Sequence, residues 1–284
     1  MNFKVYSTWP VISRGALLAA LAASLLVGCG KKAPVAQARE KTEKSTKADT
    51  KPRDERYEQP FAMATRTDPP EDWQPVEKTM TGKSVGKLYE QIKETWDSVR
   101  LTGKNDKPLS LVAKLETELG TIEITLRPDL APNHVRNFLA LAQVGYYDGL
   151  VFERQVTQAL EDKPEESKLR YIEAGCPAGT GDPRVGSLGY WLKPEITKTA
   201  THEIGAVGAC HEREADTAAC KFYITLSEAP YLDESYTVFG KVTKGLEIAQ
   251  MIYQRPVRID NSNPEGDRPV KPVIIKKVTI ETEN

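Results

Sequence analysis

The sequence predicts a mainly β fold: a closed, eight-stranded antiparallel barrel capped by two helices, behind a disordered N-terminal tether. Two observations predict the barrel. From about residue 109 onward, short runs of alternating apolar and polar residues recur between Gly- and Pro-bearing turns, about eight in all. Only two runs in that stretch keep a helical period, too few for parallel crossovers, so the strands pair antiparallel and close on themselves. A third observation predicts the tether. Residues 30–80 are dominated by Lys, Glu, Thr, Asp and Pro, which bury too little apolar surface to offset their ordering entropy.

At the N-terminus, "GALLAALAASLLVG" (15–28), preceded by Lys4 and Arg14, has the length and flanks of a signal-peptide core rather than a membrane span. It ends in "LVGC" (26–29), which resembles the bacterial lipobox. That motif implies removal of residues 1–28 and a lipidated Cys29 that holds the chain to a bilayer. Gly30, not Asp, comes after the Cys, which points to the outer membrane, on its periplasmic side. Residues 29–81 are then the tether. Within 82–108, "GKSVGKLYEQIKETWDSVRL" places Val85, Leu88, Tyr89, Ile92, Trp96 and Val99 at helical spacing, giving one apolar face to pack on the domain beyond it.

The domain occupies 109–284. "LSLVAKLETELGTIEITLRP" reads as a hairpin turning at Gly120. "APNHVRNFLALAQVGYY" (131–147) is a helix with Pro132 in its first turn and Gly145 at its end. "DGLVFERQV" (148–156), "RYIEAG" (170–175), "IGAVGAC" (204–210), "KFYITL" (221–226) and "YTVFGKV" (236–242) are strands. "GLEIAQMIYQ" (245–254) is the second helix, and "KPVIIKKVTIETE" (271–283) closes the sheet. "QALEDKPEESKL" (158–169) is an acidic surface loop, and Trp191 is a packing residue.

Lys+Arg number 39 against Asp+Glu 40, for a net charge of −1, so nothing argues for a nucleic-acid partner. Besides Cys29 there are Cys176, Cys210 and Cys220. In an oxidising compartment Cys210 and Cys220 bridge the ends of one loop, or they remain two buried free thiols; both readings stand. Their spacing is not that of metal ligands, and no metal or cofactor is expected.

"DGLVFERQV" puts an always-charged Arg154 at the end of an apolar strand. By pattern alone it is a surface residue paired with Glu153 or Glu173. Three segments give it another meaning. "LETELGTIEITLRPDLAPNHVRNFLALAQVGYYDGLVFERQV", "IEAGCPAGTG" and "CKFYITLSEAPYLDESYTVFGKV", in this order and spacing, resemble the cyclophilins, peptidyl-prolyl cis-trans isomerases, over roughly 109–283. The resemblance implies an eight-stranded barrel with two helices and a shallow groove on its outer wall. Arg154 would sit there, facing outward beside a hollow for a proline ring, and act as the catalytic cation. No cofactor is implied, and the partners are proline-containing polypeptides. A monomer is expected.

The rest of the implied groove departs from the family pattern. Glu173 and Lys221 stand where the family has two Gln. Tyr223 replaces a Phe of the proline pocket, and Arg170 and Tyr171 replace a Phe-Met pair. Tyr231 replaces a Trp and is followed by Leu232. Tyr236 replaces a His, and Cys210 and His211 replace an Ala-Asn pair. By alternation, Lys221 and Tyr223 share the groove side. Tyr171, Glu173, Cys210, His211, Lys221, Tyr223, Tyr231, Leu232 and Tyr236 are thus the expected substrate-binding residues. Two outcomes are open. Glu173 and Lys221 compensate each other and catalysis survives, or Glu173 clamps Arg154 and the domain is a peptide-binding or scaffold lipoprotein with little turnover. The first makes the protein an isomerase of X–Pro bonds that assists the folding of exported or envelope proteins.

Overall fold

The computed structural model describes residues 54–104, 107–158, 168–212, 214–258 and 268–283. The expected signal peptide, Cys29 and the tether up to residue 53 lie outside the described residues, as does most of the acidic loop (159–167).

Eight strands build one antiparallel sheet: β1 (Ser110–Thr117), β2 (Thr121–Leu126), β3 (Phe152–Gln158), β4 (Leu169–Ala174), β5 (Ala206–Ala209), β6 (Phe222–Thr225), β7 (Val238–Lys244) and β8 (Ile275–Glu283). Their order is β8-β1-β2-β7-β5-β6-β4-β3. Alternation sets the faces: Ile122, Ile124 and Leu126 are buried while Thr121, Glu123 and Thr125 are not. Gly120 makes the β1–β2 turn at a φ of 142°, a conformation open to glycine.

The sheet is strongly curled rather than laddered shut. Among the described residues its two edge strands meet through a short seam at their starts. Val151 bridges Ile274, and the backbone N–H groups of Gly149, Phe152 and Ile275 donate to Ile275, Val273 and Leu150. The fully closed barrel expected from the strand count is thus a curled sheet with a stitched edge.

Two helices pack on the sheet. Helix α3 (Pro132–Gln143) begins at the predicted proline and is buried along nearly all its length. Its first free N–H groups, on Asn133 and His134, donate to the Glu195 carboxylate at 3.1 and 2.9 Å, where a negative charge suits the helix dipole. Helix α4 (Leu246–Tyr253) begins after Gly245, whose φ is 78° and where a Cβ would lie 2.2 Å from the Thr121 carbonyl oxygen. The core between helices and sheet contains Leu115, Ile122, Ile124, Phe138, Tyr147, Phe152 and Phe222. Phe138 and Tyr147 each stack edge-on or tilted against Phe222 or one another.

The N-terminal part of the domain is larger than the sequence suggests. Helix α2 (Val85–Trp96) buries Val85, Leu88, Ile92 and Trp96, the predicted face, with Ser84 as its N-cap. Residues 54–81, expected in the tether, are packed as well. The short helix α1 (Phe61–Ala64) sets Phe61 edge-on against Tyr89, Trp96 and Tyr190. Thr65–Arg66 pairs with Trp191–Leu192, and Trp96 Nε1 donates to the Gln59 carbonyl at 2.9 Å. Phe61, Ala64 and Trp73 are too few to change the mean composition of 30–80, yet they suffice to anchor a strap on an existing core. Trp191 is buried, as a packing residue should be.

Cys176, Cys210 and Cys220 are free thiols, so the Cys210–Cys220 bridge is not formed. The ladder explains this. The N–H of Cys210 donates to the Lys221 carbonyl across the β5–β6 pair, so Cys220 lies one residue beyond its partner position and points to the opposite face. There its thiol lies between the Tyr146 hydroxyl and the Gly186 carbonyl.

Candidate functional site

The site is built on a β-bulge. In the β3–β4 pair, Phe152 faces Ala174 and Arg154 faces Glu173, so Glu153 is an extra residue with no partner of its own. An extra residue breaks the alternation of a regular strand. Phe152 packs in the core and Gln155 reaches the Ile252 carbonyl on α4, while Glu153 and Arg154 turn the other way together. Gly181 shows their common side: a Cβ there would lie 2.4 Å from Arg154 Cδ and 3.4 Å from Glu153 Cγ.

Beyond the bulge, the register lines up one row across four neighbouring strands: Arg154, Glu173, Tyr223 and Gly208. Arg154 Nη1 donates to both Glu173 carboxylate oxygens, at 3.0 and 3.2 Å. Lys221 Nζ reaches Glu173 Oε2 at 3.2 Å and also donates to the Gly181 carbonyl at 3.2 Å. Two cations thus share one carboxylate, and the three groups together keep one net positive charge. All three residues are nearly enclosed: Arg154 is 7% exposed, Glu173 3% and Lys221 5%. Burial opposes the charge on Glu173, but Lys221 and Arg154 outweigh it and hold the carboxyl below its ordinary range. Burial opposes the two cations as well, and Glu173 foremost among the surrounding groups holds both above their ordinary values.

The outward, open Arg154 expected from the sequence is corrected here. The side chain lies on the outer side of the strand but is covered, because the turn through Gly181 rests on its aliphatic part. Nε is buried without a hydrogen-bond partner. Among the described residues no hydrogen bond to Nη2 is found either, so the guanidinium keeps donors that Glu173 does not use.

Beside the charges lies an aromatic floor. Tyr171 and Tyr223 meet edge-on at 5.6 Å, Tyr223 and Tyr236 at 6.2 Å, and His211 stacks on Tyr236 at 4.1 Å. The hydroxyl that Tyr223 carries in place of a bare phenyl is tied down. It lies 2.7 Å from His202 Nε2, and His202 Nδ1 lies 2.7 Å from Asp233 Oδ1. With the carboxylate accepting from Nδ1–H, Nε2 accepts from the tyrosine. Gly208 makes room for that ring: a Cβ there would lie 2.2 Å from the Tyr223 hydroxyl oxygen.

The structure therefore brings together Arg154, Tyr171, Glu173, Lys221, Tyr223, Tyr236 and His211, with Cys210 beside Lys221 on the ladder. Tyr231 stands apart at 42% exposure, and Leu232 packs with Leu169 and Ala229 under Tyr171 and Tyr236. Glu153, Gly181, His202 and Asp233 belong to the constellation; the sequence offers Glu153 only as a surface partner of Arg154 and does not single out the other three. His202 is one of three His, and Asp233 is 31 residues away from it, so no local motif joins them.

Comparisons with known proteins identify the family that the chain resembles. The family model described as "Cyclophilin type peptidyl-prolyl cis-trans isomerase/CLD" matches residues 112–280. Peptidyl-prolyl cis-trans isomerase-like 3 from Gallus gallus is 32% identical over 170 residues, which cover 60% of this chain and 96% of that protein. Peptidyl-prolyl cis-trans isomerase B from Bacillus subtilis is 40% identical over 130 residues, covering 45% of this chain and 80% of that protein. Other relatives are much longer, and the chain spans 28% of one that it matches at 32% identity. A solved cyclophilin type peptidyl-prolyl cis-trans isomerase from Cryptosporidium parvum superposes with a TM-score of 0.51 at 25% identity, over 62% of this chain and 99% of that one.

Proposed function

The chain belongs to the cyclophilin-type peptidyl-prolyl cis-trans isomerase family, and from that premise we propose that it rotates X–Pro bonds in exported polypeptides and so assists their folding. The observation that carries this reading is the state of Arg154. Its Nη1 is fixed on Glu173, while its remaining donors have no protein partner among the described residues.

An X–Pro amide resists rotation because the nitrogen lone pair is delocalised into the carbonyl, a barrier of about 18–20 kcal/mol. A donor aimed at the prolyl nitrogen localises that pair as the bond twists. A hydrogen bond involving a charged group is worth about 1.5–3 kcal/mol. Made only in the twisted state, it accelerates rotation about ten- to a hundred-fold. Glu173 fixes the guanidinium in one orientation, and Lys221 keeps that carboxylate from drawing off all of the arginine's charge. Tyr223, Tyr171 and Tyr236 offer ring faces against which a pyrrolidine packs.

The lipobox at 26–29 supports an envelope location, with Cys29 lipidated and the domain on the periplasmic side of the outer membrane. Fractionation of cells expressing the full chain tests this: Cys29→Ser should release it from the membrane fraction, and retention there would refute the anchor.

A protease-coupled assay on a short proline peptide tests the activity. Arg154→Ala should lower kcat/KM at least tenfold, and unchanged turnover would refute the role of Arg154. The enclosure of Arg154 favours a second reading, in which the groove binds proline peptides with little turnover. Saturable peptide binding without accelerated exchange, in the same preparation, selects that reading.

A further inference from the structure

At the bulge residue Glu153 lies a cavity of about 270 Å³, many times a single water's share of roughly 30 Å³. It is lined by Glu153, Gly179, Arg258, Arg268 and Val270. Glu153 is 1% exposed. Its Oε1 accepts from the Cys176 N–H at 2.9 Å, and its Oε2 is buried with no partner. Such an orphaned oxygen costs free energy unless something fills its place.

A second observation is independent of the first. Val257–Arg258 and Arg268–Pro269 form a two-stranded ladder in which Arg258 and Arg268 stand directly opposite each other. Like charges in that position repel. Among the described residues neither guanidinium pairs with a carboxylate; Arg268 Nη2 is held by the Gly179 carbonyl at 3.2 Å. Two facing arginines and the residue that carries the unpartnered carboxyl oxygen line one cavity.

We propose that this cavity binds an oxyanion, a carboxylate or phosphate group, with Arg258 and Arg268 supplying the charge and the Glu153 carboxyl donating a proton-bearing oxygen to it. An arginine fork matches either oxyanion. Burial pushes the Glu153 carboxyl up to about 7, Lys221 opposes that and Glu173 adds to it, so near neutral pH the group is available as a donor. Glu173 and Lys221 act on it from the groove side, Tyr147, Cys210 and Cys220 from the neighbouring interior, and Arg258 and Arg268 share the cavity with it. The anion is bound while Glu153 is protonated and released as pH rises through its titration. The site also touches the groove, because the turn that contributes Gly179 to the cavity places Gly181 on Arg154.

The test is a titration of the isotopically labelled full chain with inorganic phosphate, read by NMR at Gly179 and Cys176. Saturable shifts are expected, weakening by up to about tenfold from pH 6 to pH 8, with that weakening lost in Glu153→Gln. The double substitution Arg258→Ala and Arg268→Ala should abolish them. Asp260, Glu265 and Asp267 lie in the sequence between the two arginines, so the titration is repeated with all three neutralised. No saturable shift in either background, or shifts that persist without both arginines, overturns the proposal. Peptides bearing Glu or Gln near a proline distinguish the source. A tenfold preference for Glu that disappears in the double Arg variant identifies a polypeptide carboxylate. Equal binding of the two peptides beside a phosphate response identifies a free anion.

Discussion

Glu173→Gln removes the one anion that two enclosed cations share. Lys221 is left with the Gly181 carbonyl, and of the two charged oxygens to which Arg154 Nη1 donates only one neutral amide oxygen remains. Breaking a buried ion pair from one side typically costs about 3–5 kcal/mol, and two stranded cations place this substitution at the upper end, about 4–5 kcal/mol. Adding Lys221→Gln removes one stranded charge and lets two amides face each other across the strands. The double variant should regain about 1–3 kcal/mol, a coupling typical of residues in one network. Urea unfolding at pH 7 measures each corner of the cycle. The pH dependence adds a check. The Glu173 carboxyl titrates below its unfolded value, so its contribution is present above about pH 4.5 and is lost as pH falls through its folded pKa. The Glu173→Gln chain should therefore lose less stability on acidification than the parent. A cost below 1 kcal/mol, or a double variant less stable than the single, would refute the shared-carboxylate account.

Other substitutions probe neighbouring parts of the molecule. Gly208→Ala should cost about 1–3 kcal/mol by denaturant unfolding, since its methyl would overlap the Tyr223 ring, and in a Tyr223→Ala background it should cost little. Glu153 binds a proton in the folded state up to about pH 7 but in the unfolded chain only to about 4.5, so its folding contribution declines between those values, by up to about 3 kcal/mol. Glu153→Gln should flatten that decline, and an unchanged stability profile between pH 4.5 and 7 would contradict it. Phe61→Ala should destabilise by about 3–5 kcal/mol, because the ring is wedged among Tyr89, Trp96 and Tyr190; a loss under 1 kcal/mol would show that the strap is dispensable.

Legibility in the sequence divides along physical lines. Ile122, Ile124 and Leu126 announce their strand because one face is wet and the other dry, and Pro132 marks a helix start because its missing N–H is free there in any case. The Glu173–Lys221 pair is readable because two amide positions of the resembled family change together to opposite charges. The bulge is not readable, since neither glycine nor proline marks Glu153, and its extra residue shows only in the pairing with β4. The covering of Arg154 is hidden for a related reason: it depends on a turn at Gly181 that is remote in sequence. The strap at 54–81 is hidden by averaging, because three anchoring side chains vanish in a charged composition while one good contact each is enough to hold them.

The alignment of Arg154, Glu173, Tyr223 and Gly208 fixes a length scale. Three inter-strand gaps span about 14 Å, which matches about four residues of extended chain. On the proposed reading, a polypeptide laid across those strands would be sampled in short windows. Discrimination between polypeptides would then rest on the few side chains flanking a single bond, a consequence of ruler length.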